Sequence, residues 1–119
     1  MADVKLGAVE TRFAEIIWKN EPLTTGELVK ICAEQLQWKR TTTYTVLKKL
    51  SEKGIFATEN SIVRAVISRQ EFEALQSEQF VDENFKGSLP AFLAAFGTRK
   101  KLTDSEIDEM KALIEKMRG

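Results

Sequence analysis

The chain has 119 residues, 43% of them hydrophobic, and no net charge, since 18 basic residues balance 18 acidic ones. This length and composition suit one domain, or a small domain with an appendage, and argue against disorder. No apolar run approaches the roughly 20 residues that cross a bilayer, and no signal peptide is evident, so we expect a cytoplasmic protein without direct membrane binding. Histidine is absent and Cys32 is the single cysteine. Catalysis, a metal site and a cofactor are therefore not expected.

Two amphipathic helices are predicted at the start of the chain. The first covers residues 6–19, and its inward residues at helical spacing are Leu6, Val9, Phe13, Ile16 and Ile17. Leu23 adds a very short strand. Thr24 and Glu27 then have the spacing of a capping box, which starts a second helix at about residues 25–36. The inward residues of this helix are Leu28, Ile31, Cys32 and Leu36.

A third helix, within residues 38–54, has two unlike faces. The apolar face carries Thr43, through its methyl group, Val46, Leu47 and Leu50. The opposite face and its flanks carry hydroxyls and cations, from Thr41, Thr42, Thr45, Lys48 and Lys49. Such groups suit phosphate oxygens and base edges, so this face is a candidate DNA contact. Gly54 is expected to end the helix.

The periodicity changes after the third helix. Two stretches rich in apolar and β-branched residues, 55–58 and 62–67, flank a polar turn, which predicts a β-hairpin. Arg64 is the only cation of this hairpin and is expected to face Glu59. Three helices followed by a hairpin is the order of a winged helix-turn-helix, in which the third helix lies in the major groove and the hairpin, or wing, lies over the backbone. We therefore predict a winged-helix DNA-binding domain over residues 1–68.

Residues 69–119 carry three further helical stretches with broad apolar stripes, and we predict that they form a dimerisation domain. So short a segment does not easily build its own core, so the stripes either fold back on the first domain or meet a second copy. We favour the second copy, because a two-fold dimer places two recognition helices on a palindromic site. The predicted fold is thus mainly α with a small β-hairpin, a winged helix-turn-helix followed by a C-terminal three-helix dimerisation region. The residues assigned to dimerisation are Phe72, Leu75, Phe80, Phe85, Leu89, Phe92, Phe96, Ile107, Met110, Leu113 and Ile114.

Four residues with distinctive chemistry are assigned mainly to packing. Trp18 and Trp38 are expected to pack in the core rather than to stack on bases. Cys32 lies on an apolar helix face and is expected to be a small buried apolar residue rather than a redox sensor. Tyr44 either packs at the edge of the core or touches a phosphate through its hydroxyl.

Six stretches of the chain match one known family of regulators in order: Leu6–Trp18, Thr24–Leu28, Trp38–Gly54, Gly87–Leu89, Leu93–Phe96 and Leu102–Ile107. Together they resemble the penicillinase-repressor family of winged-helix regulators, the BlaI/MecI/CopY type, over residues 6–117. The resemblance implies a homodimeric transcriptional repressor that binds double-stranded operator DNA through its N-terminal winged helix and interlocks with a second subunit through its C-terminal helices.

The resemblance also implies site residues and a route of regulation. Recognition contacts in the family come from positions that match Thr41, Thr42, Thr45 and Lys49. The β-lactam-responsive members are inactivated by proteolysis before a phenylalanine, often under a membrane sensor-protease. The matching bond here joins Ala95 to Phe96, where better-known members have asparagine before the phenylalanine. Copper-responsive members carry C-terminal cysteine pairs, and this chain has no cysteine after Cys32, so a metal switch of that kind is not expected.

The complete set of predicted DNA contacts comes from the third helix, the two basic residues at its start and the wing. Its members are Lys39, Arg40, Thr41, Thr42, Thr45, Lys48, Lys49 and Arg64. Two simpler interpretations stay open. The cations form a solvated helix face, and Thr41 and Thr42 serve as N-cap residues. The alternative function is a winged-helix protein-interaction module without DNA binding, which the zero net charge and the weakly basic wing favour.

Overall fold

The computed structural model describes residues 3–119 and is mainly helical with one small sheet, which confirms the predicted fold class. Its elements in chain order are α1 (Ala8–Asn20), β1 (Leu23–Thr24), α2 (Thr25–Leu36), α3 (Arg40–Glu52), β2 (Phe56–Glu59), β3 (Ile62–Ala65), α4 (Arg69–Phe85), α5 (Leu89–Gly97) and α6 (Asp104–Lys116). They fall into two compact units, of which the first ends at Ser77, within α4, and the second is Glu78–Gly119. The functional boundary between residues 68 and 69 stays a prediction.

The first unit is built around one apolar core that α1, α2, α3, the sheet and the start of α4 share. Its largest fully buried apolar side chains are Phe13, Ile17, Leu28, Leu50, Ile55, Phe56 and Val63. Trp38 stacks on Phe13, with ring centroids 5.4 Å apart. Cys32 is also fully buried, and desolvation raises the pKa of its thiol. The packing roles predicted for Trp38 and Cys32 are therefore confirmed.

Trp18 joins α1 to the wing and to α4. Its ring lies 5.5 Å from that of Phe56 and 5.1 Å from that of Phe72, measured between centroids. Its indole Nε1 donates a hydrogen bond of 3.1 Å to the carbonyl oxygen of Ile67. The indole is thus used entirely in packing, as predicted, because its apolar body and its single donor both have partners inside the unit.

The wing belongs to a three-stranded antiparallel sheet of order β1-β3-β2. The short strand predicted at Leu23 is present and pairs Leu23 with Val63. The two-residue turn between β2 and β3 has positive φ at both Asn60 (52°) and Ser61 (62°), as a tight hairpin requires. The prediction that Arg64 faces Glu59 is wrong, because the observed register places Arg64 opposite Ala57 and Glu59 opposite Ile62.

Two helices begin at capping boxes that have both of their hydrogen bonds, one of them the box predicted at Thr24 and Glu27. At the start of α2, the Glu27 amide donates to Thr24 Oγ1 (3.0 Å) and the Thr24 amide donates to Glu27 Oε1 (3.1 Å). At the start of α6, Thr103 and Glu106 repeat the arrangement at 2.9 and 3.1 Å. These bonds satisfy amides that the first helical turn leaves without partners.

The prediction for the start of α1 is wrong by two residues. The helix begins at Ala8, because the Glu10 carboxylate accepts the Gly7 amide at 3.0 Å and so fixes the first turn there. Val9, predicted to face inward, is instead 51% exposed. Val4, in the segment before the helix, is the residue that enters the core at this end, with 4% exposure.

The second unit exposes much of its apolar surface. Phe80, Phe85 and Phe92 form an aromatic cluster with centroid separations of 5.4 to 6.1 Å, and Phe96 lies 6.3 Å from Phe92. Yet no residue between 78 and 119 reaches full burial. The cluster holds the ends of α4 and α5 together while it leaves the unit without a closed core.

Candidate nucleic-acid interface

Helix α3 divides into a buried side and an exposed side, as its sequence pattern predicts. Thr43, Leu47 and Leu50 are buried with exposures of 1, 5 and 0%. The exposed residues on the opposite side and its flanks are Thr41, Thr42, Thr45, Lys48 and Lys49. The core contacts therefore anchor the helix and leave a hydroxyl-rich and cationic surface open to solvent.

The first turn of α3 lacks the side-chain cap that α2 and α6 have. Lys39 occupies the N-cap position and makes no side-chain capping hydrogen bond. The interpretation of Thr41 and Thr42 as N-cap residues is therefore wrong, because both lie inside the helix. Their exposed hydroxyls make no hydrogen bond within residues 3–119 and are available to an external partner.

Thr45 presents a defined set of groups to solvent. Its hydroxyl donates a hydrogen bond of 2.8 Å to the carbonyl oxygen of Thr41, one turn earlier. With its proton used in this way, the oxygen is left as an acceptor beside the methyl group. An acceptor and a methyl suit a base amino group and the methyl of thymine.

The predicted cations differ sharply in how far the fold already engages them. Within residues 3–119 the side chains of Lys39, Lys48 and Arg64 have no hydrogen-bond or ion-pair partner. Lys49 is different, because its ammonium lies 2.7 Å from Glu10 Oε2. Of these four cations, three are thus without a partner within residues 3–119 and available for phosphate, and Lys49 is paired.

Arg40 is held against Tyr44 on another flank of α3. Its guanidinium carbon lies 5.5 Å from the centre of the Tyr44 ring, and Nη2 lies 3.5 Å from the hydroxyl. A hydrogen bond with Thr25, together with the charge of Arg40, lowers the pKa of Tyr44. Tyr44 therefore links the start of α2 to α3, and with 37% exposure it also keeps part of its surface open.

The wing carries a single exposed cation, Arg64. Its turn is fixed to the start of α2, because the Thr25 amide donates to the Ser61 carbonyl at 2.9 Å. The same threonine thus connects the wing turn with Tyr44 of α3. Sequence reasoning missed both Thr25 and Glu10, since each acts on a partner far away along the chain.

The residues predicted for dimerisation fall into two environments. Phe72 is 3% exposed and Leu75 is partly buried, and both pack in the first unit. The markedly exposed apolar members lie in the second unit and are Phe80 (51%), Leu89 (49%), Phe96 (44%), Leu113 (58%) and Ile114 (52%). The remaining members, half-buried in the second unit, are Phe85, Phe92, Ile107 and Met110.

The candidate proteolytic bond between Ala95 and Phe96 lies in the last turn of α5. The carbonyl oxygen of Ala95 accepts from the amide and the hydroxyl of Thr98, at 3.3 and 2.8 Å. The bond is therefore held in helical conformation, although the Phe96 side chain is 44% exposed.

Comparison with known proteins identifies the family. The family model described as penicillinase repressor matches residues 6–116, nearly the whole chain. This chain belongs to the penicillinase repressor family. The family consists of transcriptional repressors, which bind DNA and are not enzymes. The resemblance inferred from the sequence motifs is confirmed.

Curated relatives agree with the family match. The methicillin resistance regulatory protein MecI of Staphylococcus aureus strain Mu50 is 21% identical over 116 residues, which cover 94% of each chain. The penicillinase repressor of Bacillus licheniformis is 22% identical over 115 residues, 93% of this chain and 90% of the relative. MecI of Mammaliicoccus sciuri is 20% identical over 116 residues, again 94% of each chain.

Two further features of residues 3–119 bear on other functions. No helix in this range is long and apolar enough to cross a membrane. The range also holds no group of three or more histidine, cysteine, aspartate or glutamate side chains placed to bind a metal ion.

Proposed function

We propose that the chain is a homodimeric repressor that binds a palindromic operator through the exposed face of α3. The proposal rests on the exposure of this face. Thr41, Thr45 and Lys48 are exposed on a helix whose other side is locked into the core. In a winged helix this position corresponds to the helix that enters the major groove.

The chemistry of the face favours binding dominated by phosphate contacts. Threonine reads base edges less strongly than a bidentate arginine or asparagine does, and good bidentate pairs supply about 1–3 kcal/mol of discrimination each. Lys39, Lys48 and Arg64, which have no partner within residues 3–119, suit phosphate oxygens. Affinity should therefore fall steeply as the salt concentration rises, because each neutralised phosphate releases bound counterions.

The second unit supports the dimer part of the proposal. Its exposed apolar side chains, led by Leu113 and Ile114 of α6, need a partner surface to leave water. A second copy supplies a self-complementary partner and doubles the number of recognition helices. The proposed dimer surface begins at Phe80, because Phe72 is already used in the first unit.

Release of the operator is proposed to follow cleavage of the second unit, at the bond between Ala95 and Phe96, with a membrane sensor-protease as the partner. Cleavage there would remove α6, and with it Leu113 and Ile114, from the DNA-binding unit. Since the bond lies within α5, the end of this helix must unfold locally before a protease can bind it. The repressor itself would act in the cytoplasm, where its DNA is.

Salt-dependent binding to promoter DNA of its own operon tests this function. Wild-type chain should shift this DNA specifically at moderate salt, and the slope of log K against log salt should be steep. Lys48→Ala should reduce this slope by about 0.9 for each phosphate that the side chain no longer neutralises. Lys19→Ala, a matched loss of charge at the exposed end of α1, should leave the slope unchanged.

Two outcomes would contradict the proposal. Folded, dimeric protein that gives no specific shift would favour the interaction module instead. Equal slopes for wild type and Lys48→Ala would remove α3 as the DNA-facing element.

A further inference from the structure

The carboxylate of Glu21 takes the place of a strand partner beside the wing. β1 pairs with β3 in an antiparallel register that places Leu23 opposite Val63. Continued by two residues, the same register would place Glu21 opposite Ala65. The backbone pairing has ended there, and the Ala65 amide instead donates to Glu21 Oε1 at 2.8 Å. One side chain therefore supplies the acceptor that the two-residue β1 is too short to supply.

This hydrogen bond holds the last residue of β3. Ala65 and Glu21 are both half-buried, so water competes weakly for the amide and the carboxylate. On its other side Ala65 lies opposite Phe56 of β2, and successive residues of a central strand turn their amides to alternate neighbours. Glu21 thus completes the side of β3 that β1 leaves open. Without its oxygen, a half-buried amide would lose its acceptor, and this end of the strand would be less well fixed.

The same hydrogen bond fixes the peptide group that follows Arg64. The carbonyl of Arg64 and the amide of Ala65 belong to one planar unit, so an acceptor for this amide also orients the backbone of Arg64. Side chains alternate along a strand, and Val63, the preceding residue, is fully buried. The Arg64 side chain is therefore exposed, and it has no hydrogen-bond or ion-pair partner within residues 3–119. The cation of the wing projects from a backbone position that Glu21 helps to fix.

We propose that Glu21 is a positioning residue for DNA binding, because it holds the peptide group after Arg64 and so places this cation for contact with a backbone phosphate. This inference rests on the proposed function, since it requires the wing to lie over the duplex. A strand end that is fixed before binding loses less conformational entropy when Arg64 meets the phosphate. Because a phosphate contact carries no sequence information, Glu21 strengthens operator and random-sequence binding equally.

The test compares two pairs of full-length chains, each pair with equal charge at position 21. Glu21→Gln and Glu21→Met are both neutral and similar in length, but only the glutamine keeps an oxygen for the Ala65 amide. Wild type and Glu21→Asp both carry a carboxylate, but that of the aspartate is one methylene further from the amide. Each chain is made with and without Arg64→Ala and titrated against a random-sequence duplex and the promoter duplex over a range of salt. If Glu21→Met does not fold, the charged pair decides.

Glu106 supplies a matched control in the second unit, where its carboxylate accepts the Thr103 amide at 2.9 Å. Glu106→Met also removes an acceptor from a backbone amide, but far from the wing in the chain. It should differ from Glu106→Gln in thermal stability and not in the salt dependence of DNA binding. Hydrogen exchange measured by NMR should show that the Ala65 amide exchanges faster in Glu21→Met than in Glu21→Gln.

Glu21→Met should bind both duplexes about two- to tenfold more weakly per subunit than Glu21→Gln, the range equivalent to one neutral hydrogen bond. Its slope of log K against log salt should be flatter by up to about 0.9 per subunit, the value for one lost phosphate contact. Glu21→Asp should differ from wild type in the same direction. With Arg64→Ala, both differences should disappear, because the cation that Glu21 positions is no longer there.

Three results would overturn the inference. One is equal binding within both pairs of chains, and another is a difference that persists with Arg64→Ala, since it would then come from general damage to the fold. The third is wild-type affinity that Arg64→Ala leaves unchanged, which would remove the wing from the interface while the contact of α3 stands. Absence of specific promoter binding by wild type would instead overturn the proposed function, and this inference with it.

Discussion

For single residues, the sequence predicts which side of α3 is exposed, but it does not predict which of the exposed cations have an ion-pair partner. The spacing of Thr43, Leu47 and Leu50 identifies the buried side of the helix, because helical periodicity is a local property. The partner of Lys49 lies 39 positions earlier in the chain, at Glu10, and no local pattern contains that contact. Among the other predicted cations, Lys39, Lys48 and Arg64 have no hydrogen-bond or ion-pair partner within residues 3–119. Arg40 lies against Tyr44, and Lys49 has a carboxylate partner.

We predict that the hydroxyl of Thr45 contributes to binding of the operator. Thr45→Val keeps the size and the methyl group and removes the oxygen that accepts from a base, while Thr45→Ser keeps the oxygen and removes the methyl. We expect Thr45→Val to weaken binding to the operator by about 1 kcal/mol, the lower end of the range for a base contact, with little change on a random duplex. Fluorescence anisotropy with both duplexes measures the difference.

If Thr45→Val loses equal affinity for both duplexes, Thr45 contacts the DNA backbone rather than a base. No loss on either would remove it from the interface. Because its side chain is exposed, neither substitution should lower the melting temperature noticeably.

At the element scale, the helix limits followed mostly from capping and turn chemistry. Thr24 with Glu27, and Thr103 with Glu106, mark the helix starts that their spacing predicts. Gly54, the second residue after α3, has φ of 84°, and a left-handed residue at this position ends the helix. The start of α1 was missed because its N-cap residue, Gly7, has no side chain to signal the cap.

We predict that the capping box of α2 contributes to the free energy of unfolding. Thr24→Ala removes the acceptor for the Glu27 amide, and we expect it to lower the free energy of unfolding by about 1 kcal/mol. Thr24→Ser, which keeps the acceptor, should lower it by less than half as much. Urea unfolding followed by circular dichroism at one fixed protein concentration measures both, because dimerisation contributes to apparent stability.

Thr103→Ala removes the equivalent acceptor in the second unit and serves as the comparison. Equal stability of Thr24→Ala and wild type would contradict the stabilising role of this box.

The strand register of the wing could not be predicted from local sequence. The turn was predictable from its residues, but the placement of Arg64 opposite Ala57 depends on how the two strands pair.

At the scale of the whole molecule, the stripes of apolar residues were visible in the sequence, but their partners were not. Phe72 and Leu75 pack in the first unit, while Leu113 and Ile114 remain exposed in the second. Periodicity shows that a helix has an apolar side and does not show what covers it. The division between the two sets therefore depends on the tertiary packing of the first unit.

We predict that the exposed apolar residues of α6, Leu113 and Ile114, contribute to the dimer. Ile114→Ser should raise the dimer dissociation constant at least tenfold, because burial of an isoleucine stabilises by about 1.5–3 kcal/mol and a two-fold dimer loses two of them. Val9→Ser is the matched control, since Val9 is 51% exposed in the first unit and Ile114 is 52% exposed in the second. Sedimentation velocity over a range of concentrations distinguishes the two variants.

Equal dissociation constants for Ile114→Ser and Val9→Ser would exclude this face of α6 from the dimer. A wild-type chain that sediments as a monomer at micromolar concentration would exclude the dimer altogether. Operator affinity should fall with Ile114→Ser in proportion to the loss of dimer, because each subunit alone makes only half of the contacts.

In the proposed complex, two copies of this chain place two α3 helices in major grooves on one side of the duplex. A hydroxyl-radical footprint on the promoter of its own operon measures this arrangement. We expect two protected patches on that side, separated by a whole number of helical turns of about 10–10.5 base pairs. Both patches should disappear with Thr41→Ala, Thr45→Ala and Lys48→Ala combined. A single patch, or the same two patches with the triple variant, would exclude binding by a dimer through two α3 helices.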